Sequence, residues 1–237
     1  MVVFASLQER QHIAEMMDDP SLDAAAHREA LTDLARINRI SFSAEILWPA
    51  LRKLARSHAG PLRVLDLATG RGDVPLRLRQ KAQRERLEVR WSACDISPTA
   101  INEAQSNARD AGAEIAFFLH DIVNQPLSER YDVVMCSLFL HHLSEGDAVR
   151  VLRHMRAAAT CLVLVNDLHR SAIGYALAWV GTRILSRSPV VHFDGPVSVQ
   201  AAFTPGEARS LAEQAGLVDV RVGRRWPFRF LLTGEPG

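Results

Sequence analysis

The sequence predicts an α/β fold built on a doubly wound, mainly parallel, seven-stranded sheet with a helical N-terminal extension. Apolar runs of strand length alternate with amphipathic runs of helix length from Arg63 onward, which is the order typical of β-α-β units. Several strand-like runs, among them VVMCSL and CLVLV, are continuously apolar, as expected where helices cover both faces of a sheet. The length of 237 residues and the hydrophobic content of 48% suffice for one such domain with additions.

The N-terminal part, residues 1–60, is predicted to be a helical extension or cap, and residues 61–237 are predicted to be the main domain. Apolar residues in this part recur every three or four positions, as in amphipathic helices: Leu31, Leu34, Ile37, Ile46, Leu47, Leu51 and Leu54. Gly60 and Pro61 end the last helix just before the first strand. The helices either cover one side of the sheet or roof a ligand cleft, and the sequence favours neither.

The central part of the chain alternates strands and helices. Strands are predicted near residues 63–68, 88–95, 114–120, 131–138 and 161–167, and helices near 74–86, 98–111 and 145–159. The second helix has the clearest start, because Ser97 supplies a side-chain cap and Pro98 needs no hydrogen-bond acceptor.

The C-terminal part opens with a helix at 171–186 that is apolar around much of its circumference, so we expect it to be buried on more than one side. Three roles for this helix stay open: it forms a wall of a ligand pocket, it makes a dimer contact, or it belongs to the core. An irregular stretch at 186–203 follows, and a capping-box pattern opens a further helix at Thr204. Alternating valines, a turn region containing Gly223 and Pro227, and a second apolar run predict an antiparallel pair that closes the sheet.

Composition narrows the possible partners and the compartment. The formal net charge of +1 gives no overall field that would attract nucleic acid or an anionic membrane, so a small or neutral substrate is favoured. Cys94, Cys136 and Cys161 each fall inside a predicted strand, which predicts buried structural thiols in a reducing compartment. The N-terminus lacks the apolar core of a secretion signal, so we predict a cytoplasmic location. The segment Ala172–Leu185 is shorter than the ~20 residues that cross a bilayer, and it contains Arg183.

Residues 63–77, RVLDLATGRGDVPLR, are predicted to form a strand, a tight loop and the start of a helix. Gly70 and Gly72 would let a ligand approach bare backbone, and the free N–H groups of the new helix, with Asp73 near its cap, would face that ligand. This pattern is typical of a nucleotide-type site at the carboxyl edge of a parallel sheet. A nicotinamide-binding fingerprint is disfavoured, because Pro75 takes the place of its third glycine.

Three aspartates end successive predicted strands: Asp66, Asp95 and Asp121. Because the carboxyl ends of parallel strands share one edge of a sheet, we expect these side chains on the same edge. Each suits one part of an adenosine-bearing cofactor: Asp66 a cationic amino group, Asp95 both ribose hydroxyls, and Asp121 the adenine amino group. A single strand-end aspartate is more often a turn or cap residue, but three of them with a glycine loop favour the ligand interpretation.

The motifs that follow the strands carry a resemblance to a known family. DLATGRGD (66–73), CDIS (94–97), HDI (120–122) and YDVVMCSLFLHHL (131–143) resemble the successive motifs of class I S-adenosylmethionine-dependent methyltransferases, over about residues 60–170. That superfamily usually has three glycines in its first motif, whereas this sequence has Ala68 in the first place, which is similar to the ubiquinone/menaquinone-biosynthesis branch. The resemblance implies a Rossmann-like methyltransferase fold with S-adenosyl-L-methionine as cofactor. The binding residues that it implies are Asp66, Ala68, Thr69, Gly70, Gly72, Asp95, Ile96, Asp121, Ile122 and Ser137.

The resemblance also places the methyl group of the cofactor over the carboxyl ends of the fourth and fifth strands. Residues after these strands are therefore the acceptor-side candidates: His141, His142, Asn166, Asp167, His169, His192 and Asp194. A histidine that titrates near neutrality suits the removal of a phenolic proton, so His141, His142 and His192 are predicted as candidate catalytic bases. The alternative for each of them is packing or fixing a loop. No metal-site spacing is evident.

These features predict an enzyme that transfers a methyl group from S-adenosylmethionine to a small, hydrophobic, phenolic acceptor in secondary metabolism. LARINRISF (34–42) and NDLHRSAIGYALA (166–178) resemble methyltransferases that accompany bacterial type III polyketide synthases, whose acceptors are alkylated phenols. The alternatives are C-methylation of a quinol-type precursor and a non-catalytic S-adenosylmethionine-binding protein. Balanced charge and SLFLHHL, in place of an Asn-Pro-Pro-aromatic loop, disfavour a nucleic-acid methyltransferase. A homodimer is left open.

Overall fold

The structure, a computed structural model, describes residues 7–13, 15, 16, 23 and 42–237. The predicted helix positions Leu31, Leu34 and Ile37 lie outside these residues, as does nearly all of the segment 34–42. The division of the chain into a cap and a main domain at residue 60 stays a prediction.

A seven-stranded sheet forms the centre of the molecule, in the order β3-β2-β1-β4-β5-β7-β6. The strands are β1 (Leu62–Leu67), β2 (Val89–Asp95), β3 (Ala116–Leu119), β4 (Tyr131–Ser137), β5 (Ala159–Leu168), β6 (Val218–Arg225) and β7 (Arg229–Glu235). The first five strands are parallel, and β7 runs antiparallel to both of its neighbours. The doubly wound, mainly parallel sheet that the sequence predicts is thereby confirmed. Its strand order reverses between β1 and β4, which is where such sheets bind ligands.

Seven helices and one short 3-10 helix (Leu140–His142) flank this sheet in the described part of the chain. They are α1 (Ser43–Ser57), α2 (Asp73–Arg84), α3 (Pro98–Asp110), α4 (Glu145–Ala158), α5 (Ala172–Leu185), α6 (Pro189–Ala201) and α7 (Pro205–Gln214). The Ser97 cap of α3 and the capping box of α7 form as predicted. Within these residues, no helix is both long and apolar enough to cross a membrane.

Alternation along β4 divides the apolar core between the two faces of the sheet. Val134 and Cys136 point into the cluster beneath α4 and α7, whereas Val133 and Met135 join the cluster beneath α1 and α2. All four side chains are fully buried. A strand that is buried on both faces has no polar position to alternate with, which accounts for the continuous apolar run VVMCS.

Two of the three cysteines are buried as predicted. Cys94 and Cys136 lie in the core, and all three thiols are free. Burial raises the pKa of the Cys94 thiol to about 12, which keeps it an unreactive thiol. The prediction for Cys161 needs correction, because its side chain near the start of β5 is only partly covered.

The prediction of an irregular stretch at 186–203 is wrong, because this stretch forms α6. Pro189 occupies the first turn of α6, where its missing N–H costs nothing. Gly195 and Pro196 oppose a helix locally, by about 1 and 3 kcal/mol. Four buried valines outweigh that cost, since each buried side chain contributes about 1.5–3 kcal/mol. Tertiary packing therefore decides the conformation of this segment.

The expectation that the helix after β5 is buried on more than one side is also wrong. In α5 only Gly174 and Thr182 are buried, at its contacts with the β6–β7 turn and with α6. Four of its exposed apolar residues fall at spacings of four, three and four, so they form one stripe: Ile173, Leu177, Val180 and Ile184.

The C-terminal pair is antiparallel as predicted, but its turn is displaced. Gly223 lies inside β6, opposite Leu231, and the turn is confined to residues 226–228. Pairing through Arg225 and Arg229 extends both strands beyond the apolar positions that marked them in the sequence.

Candidate active site

The loop between β1 and α2 has the left-handed backbone that its small residues allow. Ala68, Gly70 and Gly72 have φ angles of 50°, 56° and 77°. A Cβ atom on Gly72 would lie 3.2 Å from the Cβ of Ala104, so this glycine serves close packing. A Cβ atom on Gly70 would meet nothing within 4 Å. The space in front of Gly70 is therefore where a ligand can approach the backbone.

Asp66 lies at the end of β1 with a carboxylate that the protein only half satisfies. Its Oδ2 accepts a hydrogen bond of 2.7 Å from the hydroxyl of Thr69. Its Oδ1 is buried and has no hydrogen-bond partner among the described residues. Burial raises the pKa of Asp66 to about 7; the bond from Thr69 lowers it and the nearby charge of Asp95 raises it. A cationic amino group would satisfy this oxygen and its charge.

Asp95 joins the end of β2 to the glycine loop. Its Oδ2 accepts from the N–H of Gly70 at 2.8 Å, and its Oδ1 accepts from the N–H of Ser97 at 3.0 Å. Each carboxylate oxygen retains acceptor capacity for a further donor, such as a ribose hydroxyl. The next residue, Ile96, is 68% exposed, and a large apolar side chain left open beside these acceptors suits contact with a flat ring.

Asp121 has a structural role in the turn after β3. β3 ends at Leu119, two residues before Asp121. The carboxylate accepts from the side-chain amide of Asn124 at 2.8 Å and from the backbone N–H groups of Val123 and Asn124. These bonds, that from the Asn124 side chain foremost, lower the pKa of Asp121. Ile122 is buried in the core. Contacts of Asp121 and Ile122 with a cofactor stay predictions.

The residues present fit the cofactor that the sequence implies. The end of β1 offers a buried acceptor without a partner, the loop offers open space before Gly70, and the end of β2 offers a carboxylate beside an exposed apolar side chain. The predicted residues Asp66, Thr69, Gly70 and Asp95 are brought together by direct hydrogen bonds.

His141 and Asp167 form a buried pair at the ends of β4 and β5. The Nδ1 of His141 lies 2.6 Å from Oδ1 of Asp167, and the backbone N–H of His141 donates to Oδ2 at 3.1 Å. Burial opposes ionisation of Asp167, but the charge and hydrogen bond of His141 and the N–H of Leu168 together lower its pKa. An ionised Asp167 keeps a proton on Nδ1 of the imidazole, so that in the neutral ring Nε2 is the acceptor.

The other candidates on the acceptor side have separate partners. His142 stacks on His141 with ring centroids 4.2 Å apart. The ring of His192, in α6, bonds instead to the carbonyl of Ser186 at 2.9 Å, in the link between α5 and α6. Asn166 donates to the hydroxyl of Ser137 at 2.9 Å, which ties β5 to the predicted cofactor residue on β4.

An N-terminal strap, defined here as residues 7–13, 15 and 16, crosses the acceptor side. Arg10 donates to the carbonyls of Ala201, His141 and Leu143, and its guanidinium stacks on a phenylalanine ring. The strap brings the Glu15 carboxylate to 3.8 Å from Nε2 of His141. Sequence reasoning did not identify Glu15, because no spacing or motif connects a residue near the N-terminus with the end of β4.

Arg229 is a second residue that the sequence did not reveal as special. It begins β7, is 5% exposed, and donates to the hydroxyl of Ser43 at 3.1 Å. Burial lowers its pKa to about 10, and the charge of Asp167 opposes that shift. Its Nε has no partner among the described residues. The sequence signal that could have marked Arg229 is its position as a single cation within the apolar run FRFLL.

Comparison with known proteins agrees with this geometry. A family described as "Methyltransferase domain" matches residues 64–160. The chain is similar to demethylmenaquinone methyltransferase from Thermus thermophilus, with 28% identity over 123 residues, which cover 49% of this chain and 54% of that protein. The chain thus spans about half the length of the curated relative that it matches.

Solved methyltransferase structures share the fold. Magnesium protoporphyrin IX methyltransferase from Synechocystis, with bound SAH, matches with a TM-score of 0.59 at 16% identity, covering 91% of this chain and 89% of that one. The CMeT domain of the citrinin polyketide synthase matches with a TM-score of 0.60 at 14% identity, covering 79% and 50%. These matches confirm the predicted methyltransferase fold, and the family match over residues 64–160 confirms the predicted resemblance to methyltransferases.

Proposed function

We propose, from the match of residues 64–160 to a methyltransferase domain, that this protein transfers a methyl group from S-adenosylmethionine to a phenolic oxygen of a small hydrophobic acceptor. The observation that carries the proposal is the buried pair of His141 and Asp167. It follows strands β4 and β5, and β4 neighbours β1, whose end carries the cofactor cradle, defined here as Asp66, Thr69, Gly70 and Asp95. In this cradle one oxygen of Asp66 has no partner among the described residues. This pair supplies a base of the kind that a phenol requires and that a cofactor-binding protein without turnover does not require.

The proposed mechanism assigns each residue one task. Asp66 binds the amino group of the cofactor, Asp95 holds its ribose, and the Gly70 backbone gives it room. The cofactor, when bound, supplies an electrophilic methyl group on a sulfonium sulfur. Nε2 of His141 accepts the proton of the acceptor hydroxyl, and Asp167, bonded to Nδ1, stabilises the imidazolium that results. Alignment of the oxygen with the methyl group supplies a large further part of the acceleration.

A second candidate function is C-methylation of a quinol-type precursor. The similarity to demethylmenaquinone methyltransferase favours it. The same pair would serve this reaction, because removing a phenolic proton also makes the ring carbons more nucleophilic. A secondary-metabolic role and a cytoplasmic location stay predictions from the sequence, and a homodimer stays open.

One experiment tests both functions. The protein is incubated with S-adenosylmethionine carrying an isotope-labelled methyl group and with a panel of alkylated phenols and quinols, and the products are analysed by mass spectrometry. We expect label on an ether oxygen, removable by ether cleavage. Label on carbon would select the second candidate. Absence of labelled product with every phenol and quinol, despite binding of S-adenosylhomocysteine, would contradict both.

A further inference from the structure

The N-terminal strap and the end of β4 bring together three groups that ligate metals. Glu15, His141 and His142 each offer one ligand atom, and these atoms lie within 4.8 Å of one another. Oε1 of Glu15 is 3.8 Å from Nε2 of His141 and 3.9 Å from Nδ1 of His142. Ligands about 2.1 Å from a tetrahedral ion stand about 3.4 Å apart, so the two contacts of Glu15 would have to shorten by about half an ångström to hold one ion.

The second contacts of His141 and Glu15 match those of ligands in a metal site. Nδ1 of His141 bonds to Asp167, which leaves Nε2 for the ion in the arrangement of a carboxylate–histidine–metal triad. The Glu15 carboxylate accepts a hydrogen bond from the hydroxyl of Ser198 on α6. Backbone bonds to the strap and to Asp167 hold both histidines in place, since the carbonyls of His141 and His142 accept from Arg10 and His12.

The surrounding charges favour a divalent cation. Glu15 and Asp167 are buried or nearly so, with side chains 11% and 1% exposed. Two described cations lie near enough for their charges to act on Asp167, but the hydrogen bonds of Arg10 go to backbone carbonyls and that of Arg229 goes to the hydroxyl of Ser43. The ion-pair partners of the largely buried Glu15 carboxylate in the described part of the chain are the rings of His141 and His142, and a divalent ion between these three groups would supply positive charge to that carboxylate.

We infer that Glu15, His141 and His142 form a site for one divalent transition-metal ion of the Zn²⁺ type. Two imidazoles and one carboxylate are a preferred set for such an ion, with water or another ligand at the remaining position. An ion there would occupy Nε2 of His141. The consequence rests on the proposed function: a metal-bound Nε2 cannot accept the proton of the acceptor, so metal binding inhibits methyl transfer.

A second cluster serves as the internal control. His58, Asp132 and Cys161 also have ligand atoms within 4.8 Å of one another. Asp132, however, already accepts from the N–H of Arg63 at 2.7 Å and from the hydroxyl of Thr160 at 3.0 Å. Because both oxygens of Asp132 are already engaged by the protein, we expect this cluster to bind Zn²⁺ more weakly.

Zn²⁺ and Co²⁺ are titrated into the untagged full chain without cofactor or acceptor, by calorimetry and by visible absorption of Co²⁺. We expect one ion per chain and an absorption band of a four- or five-coordinate Co²⁺ site. Glu15→Gln and His142→Gln should each weaken binding at least as much as the roughly 10- to 100-fold effect of outer-shell changes. His58→Gln should leave binding unchanged.

Two results would overturn the inference: no stoichiometric binding by the folded protein, or binding that His58→Gln abolishes and Glu15→Gln leaves intact. Circular dichroism of each variant separates loss of a ligand from loss of the fold. Because the titration uses no methyl donor, its outcome is independent of the proposed reaction. In an active preparation, chelation by EDTA should restore the methyl transfer that added Zn²⁺ suppresses.

Discussion

Asp66 couples cofactor binding to pH, because its buried carboxylate has a pKa raised to about 7 and faces the predicted place of a cationic amino group. Only the ionised carboxylate attracts that amino group, so binding must remove the proton. We expect the affinity for S-adenosylhomocysteine to fall about tenfold for each pH unit below about 7 and to level off above it. Calorimetry between pH 5.5 and 8 measures this slope. Asp66→Asn should abolish it, and a wild-type affinity that is independent of pH would contradict the assignment.

The raised pKa of Asp66 also makes the free energy of unfolding of the cofactor-free protein depend on pH. Between the usual value of 3.8 and about 7, the folded state binds the Asp66 proton and the unfolded state does not. The free energy of unfolding therefore loses a contribution as pH rises through this window. Asp66→Asn, which cannot ionise, should weaken that dependence.

Gly70 and Gly112 form a matched pair for testing the ligand space. Both have φ of 56°, and a Cβ atom on either would meet nothing within 4 Å. The backbone cost of a valine is therefore comparable at the two positions. We expect Gly70→Val to prevent binding of S-adenosylhomocysteine, because its side chain fills the space before the loop, and Gly112→Val to bind normally. Calorimetric titration of both folded variants decides, and equal affinities would remove Gly70 from the site.

His141 carries the catalytic prediction. His141→Gln should lower turnover by about 10²- to 10⁴-fold and leave cofactor affinity nearly unchanged, because only proton removal is lost. Raising the pH should restore part of the rate, since a phenol with a pKa of about 10 ionises increasingly without help. His154→Gln is the control, because that ring bonds to the carbonyl of Ile122 in the core region. Near-normal turnover of His141→Gln at neutral pH would contradict the base.

Prediction at the residue scale depended on how local the signal was. Gly70, Asp66 and Asp95 were predicted because strand ends place them on one edge, which topology alone determines. Glu15 and Arg229 were not, since each acquires its role from partners that lie more than a hundred residues away in the chain. The structural role of Asp121 also follows from a local turn, and the sequence left that alternative open.

At the scale of elements, caps and apolar runs predicted β1 to β5 and the helices between them within a few residues, whereas α6 was missed. Local signals in α6 point against a helix, and its stability comes from burial that the sequence does not display. The α5 stripe shows the converse, since an apolar composition did not ensure burial.

The contact between α5 and α6 yields a stability prediction. A Cβ atom on Gly195 would overlap the Cγ2 atom of Thr182, whereas one on Gly181 would meet nothing within 4 Å. We expect Gly195→Ala to lower the free energy of unfolding by about 1–3 kcal/mol. Gly181→Ala should raise it by about 0.5–1 kcal/mol, because alanine is the better helix former. Urea unfolding measures both effects.

The Thr182→Ser variant tests whether overlap with Cγ2 of Thr182 causes the loss of stability in Gly195→Ala. It deletes Cγ2 and keeps the hydroxyl that donates to the carbonyl of Ala178 at 2.8 Å. Gly195→Ala should therefore be nearly harmless in the Thr182→Ser background. If the double variant is as unstable as the sum of the single ones, the overlap is not the cause.

At the scale of the whole molecule, the parallel topology gathers the cofactor cradle and the acceptor side on one edge of the sheet, and the N-terminal strap crosses that edge. Arg170 holds this arrangement together. Its side chain, 1% exposed, bonds both oxygens of Glu207 and the carbonyl of Ala202, and it donates to the carbonyls of Leu7 and Gln8 in the strap. One buried guanidinium thus connects β5, α7 and the strap.

Arg170→Met should therefore loosen the strap before the fold is lost. We expect the free energy of unfolding to fall by about 3 kcal/mol, the lower end for breaking a buried pair, because Glu207 can still reach water. Trypsin should cleave after Arg10 faster than in the wild type under native conditions, since the carbonyls of Leu7 and Gln8 lose their donor. Arg150→Met is the control: its pair with Asp147 is exposed, so it should change stability by under about 1 kcal/mol and leave cleavage after Arg10 unaltered. Equal cleavage rates in the Arg170 and Arg150 variants would show that Arg170 does not hold the strap in place.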